Sequence, residues 1–431
     1  MNSNNWRDTT IGAETDLLTG NPFNSSRYTD DVSGIRLLRG DNVIQGRIRW
    51  EDVKSWDRSH VKGLNDYFLQ SGDVVLAMDR PWIEAGLKYA AISDDDLPCL
   101  LVQRVSRLRG KENLDQRFLK YIIGSRDFTD YILGIQTGTS VPHISAGQIK
   151  EFQFLCPPLS EQRAIVRSLG ALDDKIEHDR RMNHTLELIV QAVFKSWFLD
   201  FDPVVAKSEG RQPYGMNPET AALFPSEFQE TGIDEFESIP IGWHLESLSD
   251  IANYENGLAL QKYRPEGVEY LPVIKIRELR RGFPDSNSEK ASPNIKPSCV
   301  LDDGDIIFSW SGSLMIDMWC GGKGALNQHL FKVTSDNYPK WFYYYWTNYH
   351  LSDFQDIAEG KATTMGHIQR HHLESAKVVV PPDPILEKAN KVLQPMLDQI
   401  MKNRVQSRVL ASMRDALLPK LLSGEIRVKA T

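Results

Sequence analysis

The sequence lacks the features that would assign it to a membrane, to a secretory route or to disulfide chemistry. None of its apolar runs is long enough to span a bilayer, and the opening MNSNNWRDTT has no signal-peptide character. Its four cysteines, Cys99, Cys156, Cys299 and Cys320, are far apart, and no pair has the spacing of zinc ligands or of a redox motif. We therefore expect free thiols in a protein of the reducing cytoplasm.

Catalytic and nucleotide-binding motifs are also missing. There is no G-x-G-x-x-G and no Walker loop, and Pro157-Pro158 and Pro381-Pro382 lack the flanking residues that an amino-methyltransferase motif needs. The segment PDSNSEK, residues 284–290, lacks the spacer of a nuclease metal motif. His367 and His371 have the spacing of two zinc ligands, but no third ligand is evident. The sequence thus predicts no catalytic residue and no metal site.

The negative charge is concentrated in one segment. The 431 residues carry a net charge of -8, and residues 201–238 alone hold eight acidic and two basic residues. The rest of the chain is nearly neutral and can present basic faces locally, so a nucleic-acid partner is not excluded. The same segment has four prolines and three glycines, which predicts a linker without helices.

The chain contains an internal repeat. TSVPHI, residues 139–144, matches TTMGHI, residues 363–368, at an offset of 224 residues. Upstream, GDVVLAM, residues 72–78, resembles GDIIFSW, residues 304–310, at a slightly longer offset, and such differences usually lie in surface loops. Each copy therefore consists of a globular domain followed by a long helix.

Each globular copy is predicted to mix strands and helices. Runs rich in β-branched residues predict strands in GIRLLRG, GDVVLAM, CLLVQRV, YLPVIKI, GDIIFSW and AKVVVPP. DQRFLKYIIGS and PKWFYYYWTNY predict short buried helices. The fold class is therefore predicted as α+β, with two similar domains of mixed strands and helices.

The two long helices have heptad spacing. Apolar residues recur in alternating steps of four and three, and each series is polar at its centre, at Asp179 and Asn183 in the first helix and at Asn403 and Ser407 in the second. An antiparallel coiled coil would bring these centres together, which fixes register at some cost in stability. One alternative is that each helix pairs with a partner chain. The other is that both are amphipathic helices in one ordinary core, but a length of about 60 Å argues against this second alternative.

Basic residues alternate with apolar and aromatic ones in both copies. The stretches are LLRGDNVIQGRIRW (37–50), VQRVSRLRGK (102–111) and VIKIRELRRG (273–282). Arginine suits both phosphates and guanine edges, although any one stretch is equally a solvated surface strand. The Gly/Thr-rich loops QTGTS and GKATT, which precede the matched histidines, are either phosphate-binding loops or plain turns.

Four segments together resemble the specificity (S) subunit of type I restriction–modification systems, the HsdS family. They are PPLSEQRAIVRSLGALDDKI (157–176), FKSWFLDFDPVVAK (194–207), SIPIGWHLESLSDIANYENG (238–257) and LLPKLLSGEIRV (417–428). The second helix start departs from the pattern, because DPILEKANK follows Pro382 without Glu-Gln. The resemblance divides the chain into target recognition domain 1 (1–156), a spacer helix (157–200), a linker (201–238), target recognition domain 2 (239–380), and a second spacer helix with a C-terminal tail (381–431).

The resemblance implies a non-catalytic subunit. Each globular domain would read one half of a bipartite target in double-stranded DNA, while the helix pair sets the spacing and docks two modification (methyltransferase) subunits. The chain itself would bind no cofactor. S-adenosylmethionine is expected on the modification subunits, and ATP and Mg on the restriction subunits, in a cytoplasmic complex without membrane contact. The alternative is a two-headed coiled-coil scaffold that bridges partner proteins without reading DNA.

The candidate DNA contacts are basic residues near predicted strands and polar residues of the two Gly/Thr-rich loops. The candidates for bases or phosphates are Arg36, Arg39, Arg47 and Arg80 in the first copy and Lys275, Arg277, Arg280 and Arg281 in the second. The candidates for phosphates are Thr139, Ser140, Lys361, Thr363 and Thr364.

Overall fold

The computed structural model describes residues 5–31, 33–137, 142–360 and 366–428. These residues form two compact units. The first unit contains the described residues up to Asp174 together with those from Ala411 onward, and the second contains Lys175–Leu410. Each unit has its own sheets and its own apolar core.

Short strands and helices build the first unit. Its strands are β1 (Arg7–Thr10), β2 (Thr15–Thr19), β3 (Ile35–Leu38), β4 (Gln45–Gly46), β5 (Ser55–Trp56), β6 (Val74–Ala77), β7 (Trp82–Ile83), β8 (Gly86–Leu87), β9 (Tyr89–Ala91), β10 (Cys99–Leu101), β11 (Val105–Gly110) and β12 (Gln153–Cys156). Its short helices are α1 (Ile11–Glu14), α2 (Gln116–Ile123), α3 (Arg126–Ile135) and α4 (Ala146–Glu151). The long α5 (Leu159–Phe194) begins in this unit and continues into the second.

The second unit repeats this mixture. Its strands are β13 (Phe228–Glu230), β14 (Ser238–Pro240), β15 (His244–Ser247), β16 (Asn253–Asn256), β17 (Leu271–Ile274), β18 (Lys290–Ala291), β19 (Val300–Leu301), β20 (Ile306–Ser309), β21 (Met315–Met318), β22 (Gly324–Leu326), β23 (Leu330–Thr334) and β24 (Lys377–Val380). Its short helices are α6 (Asp202–Ser208), α7 (Pro218–Leu223), α8 (Leu248–Ile251), α9 (Ile276–Arg281), α10 (Lys340–Tyr349), α11 (Leu351–Glu359) and α12 (Arg370–Ser375). The long α13 (Asp383–Leu422) begins here and ends in the first unit.

The two copies share their strand pairing. The main sheet has the order β2-β11-β6-β9-β4 in the first unit and β16-β23-β20-β21 in the second, and its pairs are antiparallel except for β4 with β9. Each copy also contains a parallel strand pair, β3 with β10 in the first and β17 with β22 in the second. Each contains a separate antiparallel pair as well, β1 with β12 in the first and β15 with β24 in the second. The predicted α+β class with two similar domains is confirmed.

One close backbone approach occurs in both copies and requires glycine. A Cβ atom on Gly20 would lie 2.2 Å from the carbonyl oxygen of Val102, and a Cβ atom on Gly257 would lie 2.2 Å from that of Asn327. No side chain fits at such a distance, so the duplicated turn depends on glycine at both positions.

The predicted short elements are present, with one difference. The run CLLVQRV was predicted as a single strand, but β10 ends at Leu101 and β11 begins at Val105. Between them Arg104 has a φ of 69°, a left-handed conformation that ends a strand. The hydrophobic pattern could not reveal this break because Val102 and Val105 are both buried.

Segments of the two long helices pair antiparallel within each unit. In the first unit Arg414 of α13 donates to Asp173 of α5 at 3.0 Å, and Leu421 shares an apolar cluster with Leu169 and Ile165. Contacts of α5 residues with lower numbers are made by α13 residues with higher numbers, so the two helices run in opposite directions. This pairing agrees with the predicted helix pair.

In the second unit the polar centres of the helices meet. Asn403 Nδ2 donates to Asn183 Oδ1 at 2.8 Å, and both side chains are buried. Asp179 is fully buried and pairs with Lys175, while its Oδ2 atom has no hydrogen-bond partner among the described residues. Ser407 is half-buried, and its hydroxyl makes no hydrogen bond to a described residue. The register contact therefore lies between the two asparagines.

We expect Asn403→Ala to destabilise the helix pair by about 1–3 kcal/mol, because it leaves the buried Asn183 Oδ1 without its donor, while Asn183 Nδ2 still donates to the carbonyl of Ile400. Replacing both asparagines with leucine should cost less than this single change, since no buried polar group then lacks a partner. Chemical denaturation of the full chain measures both variants, and the single changes Asn183→Leu and Asn403→Leu complete a double-mutant cycle with the double leucine variant. Gln406→Ala, an exposed amide on the same helix, is the control and should stay within about 0.5 kcal/mol of the wild type.

The acidic segment 201–238 is folded, so the expectation that its prolines exclude helices is wrong. Pro203 lies in the first turn of α6 and Pro218 begins α7, where a missing backbone N–H costs no hydrogen bond. Phe224 and Phe236 lie in the main core of the second unit. The segment is thus part of that unit rather than a bare connection.

Glu161 and Gln162, at the start of α5, bind the helix to the first unit through hydrogen bonds. Gln162 is fully buried, and its amide donates to the carbonyls of Asn113 and Pro157 while it accepts from the backbone N–H of Asp115. Glu161 accepts from the Trp6 indole at 2.9 Å. The helix begins at Leu159, so Ser160 is the second residue of the helix rather than the residue that caps it.

Candidate nucleic-acid interface

The matched histidines lie beside the end of the central strand in each copy. After β6, the backbone N–H of Arg80 donates to Pro142 at 2.7 Å, and after β20 that of Gly312 donates to Gly366 at 2.8 Å. Isolated β-bridges join Asp79 to His143 and Ser311 to His367. The backbone geometry at this place is therefore the same in both copies.

The side chains at this place differ between the copies. In the first copy, Asp79 Oδ1 contacts His143 Nδ1 at 2.7 Å and Arg104 Nη1 at 3.4 Å. In the second, the Ser311 hydroxyl contacts His329 Nδ1 at 2.9 Å. We call these sets the first matched cluster (Asp79, Arg80, Arg104, His143) and the second matched cluster (Ser311, Gly312, His329, His367).

The phosphate-contact candidates fall next to these clusters in the sequence. Thr139, Ser140, Lys361, Thr363 and Thr364 all lie outside the described residues. Their neighbours at Pro142 and Gly366 are held by the backbone hydrogen bonds just described. His367 precedes α12, so His367 and His371 do not lie on one helix as zinc ligands one turn apart would.

A buried asparagine shapes the basic loop of the first copy. Asn42 Oδ1 accepts from the backbone N–H of Arg39 at 3.0 Å, and Asn42 Nδ2 donates to the carbonyl of Arg49 at 3.1 Å. Arg47, between them, is exposed. The loop thus presents three arginines from a fixed backbone, a role for Asn42 that no sequence pattern indicated.

Arg36, in contrast, is engaged within the first unit. Its guanidinium donates to the carbonyls of Asp95 and Leu97 at 2.9 and 3.1 Å and lies over the Trp50 ring at 4.5 Å. Arg39 has a buried Nε without a hydrogen-bond partner among the described residues. Arg80 is exposed, with a left-handed φ of 44°.

Lys88 was missed by the sequence analysis. Its side chain is buried between strands, and burial lowers the pKa of its ammonium group. The charges of Arg80 and Arg49 lower that pKa further, whereas those of Asp41 and Asp79 raise it. A destabilised cation beside two arginines would be stabilised by an incoming anion such as a phosphate. The only sequence signal was a lysine inside the strand-like run GLKYA.

In the second copy, acidic neighbours already pair with most of the candidates around α9. Lys275 pairs with Glu289, Arg277 with Glu278 at 2.7 Å, and Arg281 with Asp285. Arg280 is exposed, and no described residue pairs with it. The same surface carries an exposed aromatic ring, that of Tyr270. The Lys290 ammonium group lies 4.1 Å from the centre of this ring.

The cysteines offer no reactive thiol. All four are free and buried, and burial raises the pKa of Cys99 to about 12 and that of Cys320 to about 11. A thiol must ionise to act as a nucleophile, so these groups serve packing. Among the described residues, no helix is long and apolar enough to cross a membrane.

Comparison with known proteins gives a consistent result. The family model described as type I restriction modification DNA specificity domain matches residues 31–188 and 240–408. The specificity subunit of the type I restriction enzyme MjaIX from Methanocaldococcus jannaschii is 28% identical over 360 residues, covering 80% of this chain and 76% of that protein. The specificity subunit of HindI from Haemophilus influenzae is 25% identical over 404 residues, covering 83% and 87%.

A solved structure shows the same fold. The crystal structure of a type I restriction–modification S subunit from M. genitalium superposes with a TM-score of 0.56 at 17% sequence identity. The match covers 98% of this chain and 97% of that one.

Proposed function

The chain belongs to the type I restriction–modification DNA specificity family, and on that premise we propose how its two domains recognise DNA. It is a non-catalytic specificity subunit, the component that selects the DNA sequence on which the complex acts. We propose that each globular copy reads one half of a bipartite target and that the two matched clusters contact base edges.

The single observation that carries this proposal is that the two matched clusters have the same backbone arrangement but different side chains. The first matched cluster has a carboxylate and two arginines where the second has a hydroxyl, a glycine and a histidine. Base edges are distinguished by their donors and acceptors. Two copies built this way can therefore bind two different half-site sequences in equivalent positions.

The basic loop and Lys88 support phosphate binding around the first matched cluster. Arg47 and Arg49 are exposed on the loop fixed by Asn42, and Lys88 lies near the like charges of Arg49 and Arg80, with Asp41 and Asp79 as the nearby carboxylates. Phosphate contacts position a domain on DNA, while base contacts select the sequence. In the second copy Arg280 has the same phosphate-binding role, and positions 361, 363 and 364, which lie outside the described residues, remain part of the proposal.

As a specificity subunit the chain acts in a complex with DNA and other subunits. We propose that two modification subunits carrying S-adenosylmethionine dock on the helix pair, and that restriction subunits supply ATP- and Mg-dependent cleavage in the cytoplasm. Exposed apolar side chains on the helices support this docking, namely Leu188 and Ile189 on α5 and Val409 on α13. Continuous helices shared by both units also support a role in setting the spacing between half-sites.

We expect Arg80→Ala to relax sequence preference at one position of one half-site, by about 1–3 kcal/mol, and to leave the other half unchanged. The measurement is DNA binding by the assembled complex to a panel of single-base target variants at two salt concentrations, together with sequencing of methylated adenines. Arg36→Ala is the control. Because its guanidinium is bound within the first unit, its loss should lower stability without altering the preferred sequence.

Relaxation at both half-sites by Arg80→Ala would contradict the assignment of one domain to each half. A uniform loss of affinity across all target variants would instead make Arg80 a phosphate contact. Binding of the complex without sequence preference or salt dependence would favour the scaffold alternative, which the family membership disfavours.

A further inference from the structure

A histidine in the second unit has a ring nitrogen that makes no hydrogen bond to any residue the structure describes. His350 links α10 to α11, and its side chain is only 3% exposed. Its Nε2–H donates to the backbone carbonyl of Lys377 at 2.7 Å. Because a carbonyl can only accept, Nε2 carries the proton of the neutral ring, and Nδ1 presents a lone pair.

Two carboxylates face that lone pair. Glu235 Oε1 lies 3.7 Å and Asp353 Oδ2 lies 3.9 Å from His350 Nδ1, beyond hydrogen-bond distance. One ligand atom from each of the three residues lies within 4.8 Å of the others. The residues come from segments far apart in sequence, so only the folded chain assembles them.

No cation compensates this arrangement among the described residues. Neither Glu235 nor Asp353 pairs with a lysine or arginine there. Two carboxylates and a lone pair thus converge on a space that lacks positive charge.

The surroundings of His350 are aromatic. Its ring lies 4.9 Å from that of Tyr349, 6.1 Å from Phe354 and 6.4 Å from Trp346. Such a setting excludes water from one side and strengthens the attraction between charged ligands and a cation. The carbonyl that accepts from Nε2 also fixes the orientation of the ring, as a hydrogen-bond acceptor on the free nitrogen of a metal-bound histidine does.

We propose that Glu235, His350 and Asp353 form a binding site for a divalent transition metal ion, with Zn²⁺ as the best match. One imidazole and two carboxylates suit Zn²⁺ better than Mg²⁺ or Ca²⁺, which prefer oxygen ligands alone. Tetrahedral coordination with bonds of about 2.0–2.1 Å places ligand atoms about 3.3 Å apart. The separations of 3.7 and 3.9 Å from His350 Nδ1 would contract by about half an ångström, and that between the two carboxylates, whose ligand atoms lie within 4.8 Å, by at most about 1.5 Å. Water completes the coordination.

The ion would have a structural role. Glu235 belongs to the turn between β13 and β14, at the end of the acidic segment, whereas His350 and Asp353 belong to the α10–α11 junction. A bound ion would tie this segment to the helices of the second unit. The inference is independent of how the chain reads DNA.

The test is metal binding by the full-length chain after treatment with a chelator. Cobalt(II) is the probe, because its visible absorption reports coordination by nitrogen and oxygen, and a thermal shift on adding Zn²⁺ is the second readout. We expect one ion per chain and a rise in the melting temperature. Glu235→Gln and Asp353→Asn should each weaken binding at least about tenfold, since each removes a charged ligand.

The matched control is His371→Gln, which removes an exposed histidine next to His372 and should leave binding unchanged. The metal-free Glu235→Gln and Asp353→Asn variants should melt no lower than the metal-free wild type, because each relieves carboxylate repulsion. The proposal is overturned if the wild type binds no stoichiometric Co²⁺ or Zn²⁺. It is equally overturned if a chain carrying both substitutions binds as tightly as the wild type.

Discussion

A chimaera that exchanges residues 1–174 together with 411–431 for the matching segments of another specificity subunit is expected to change one half of the methylated target and keep the other. The reason is that these two segments form one compact unit with a shared core. Sequencing of methylated adenines in cells that also express the modification subunits measures the outcome. A change in both halves would contradict the modular arrangement.

The boundaries of the exchange decide whether it succeeds. The core of the first unit includes Ile165 and Leu169 of α5 and Leu421 of α13, with Leu417 packed against it. A chimaera exchanged only at residues 1–156 therefore packs a foreign domain against the native side chains of α5 and α13, which do not match its core. Each mismatched large side chain costs about 2–5 kcal/mol, so we expect this control to melt at a lower temperature.

Phe198→Ala is expected to destabilise the second unit by about 3–5 kcal/mol. Phe198 is fully buried in a π-helical turn, Lys195–Leu199, that follows α5. Its ring lies 5.4 Å from Trp341, 5.5 Å from Phe194 and 6.1 Å from Trp243, so truncation leaves a cavity among large rigid rings. Chemical denaturation followed by tryptophan fluorescence measures the loss.

Two controls separate cavity formation from a general effect of substitution. Phe198→Leu keeps much of the volume and should cost clearly less than the alanine change. Tyr214→Ala removes a fully exposed ring and should stay within about 0.5 kcal/mol of the wild type. Equal destabilisation by Phe198→Leu and Phe198→Ala would show that the aromatic contacts, rather than the volume, hold this turn.

The candidate site was predictable only in part. Arg80 was a candidate because it follows a predicted strand, and the repeat matched the two histidines. The structure places Arg80 and both histidines beside the ends of β6 and β20. Arg36 shows where residue type misleads, since its guanidinium is bound to carbonyls about 60 residues away in sequence. Lys88 could not be found from the sequence, because a lysine between two short strands carries no signal of the arginines around it.

The sequence by itself determined the duplicated α+β plan, the two long helices with their polar centres, and the family. These features depend on local patterns, namely helical and strand periodicity, proline pairs and motifs spaced along one chain. The tertiary structure alone decided that Asn183 meets Asn403, that the acidic segment folds into the second unit, and that Glu235 faces His350 and Asp353. Each of these depends on contacts between residues distant in sequence, where burial and neighbouring charge, rather than residue type, set what a side chain does.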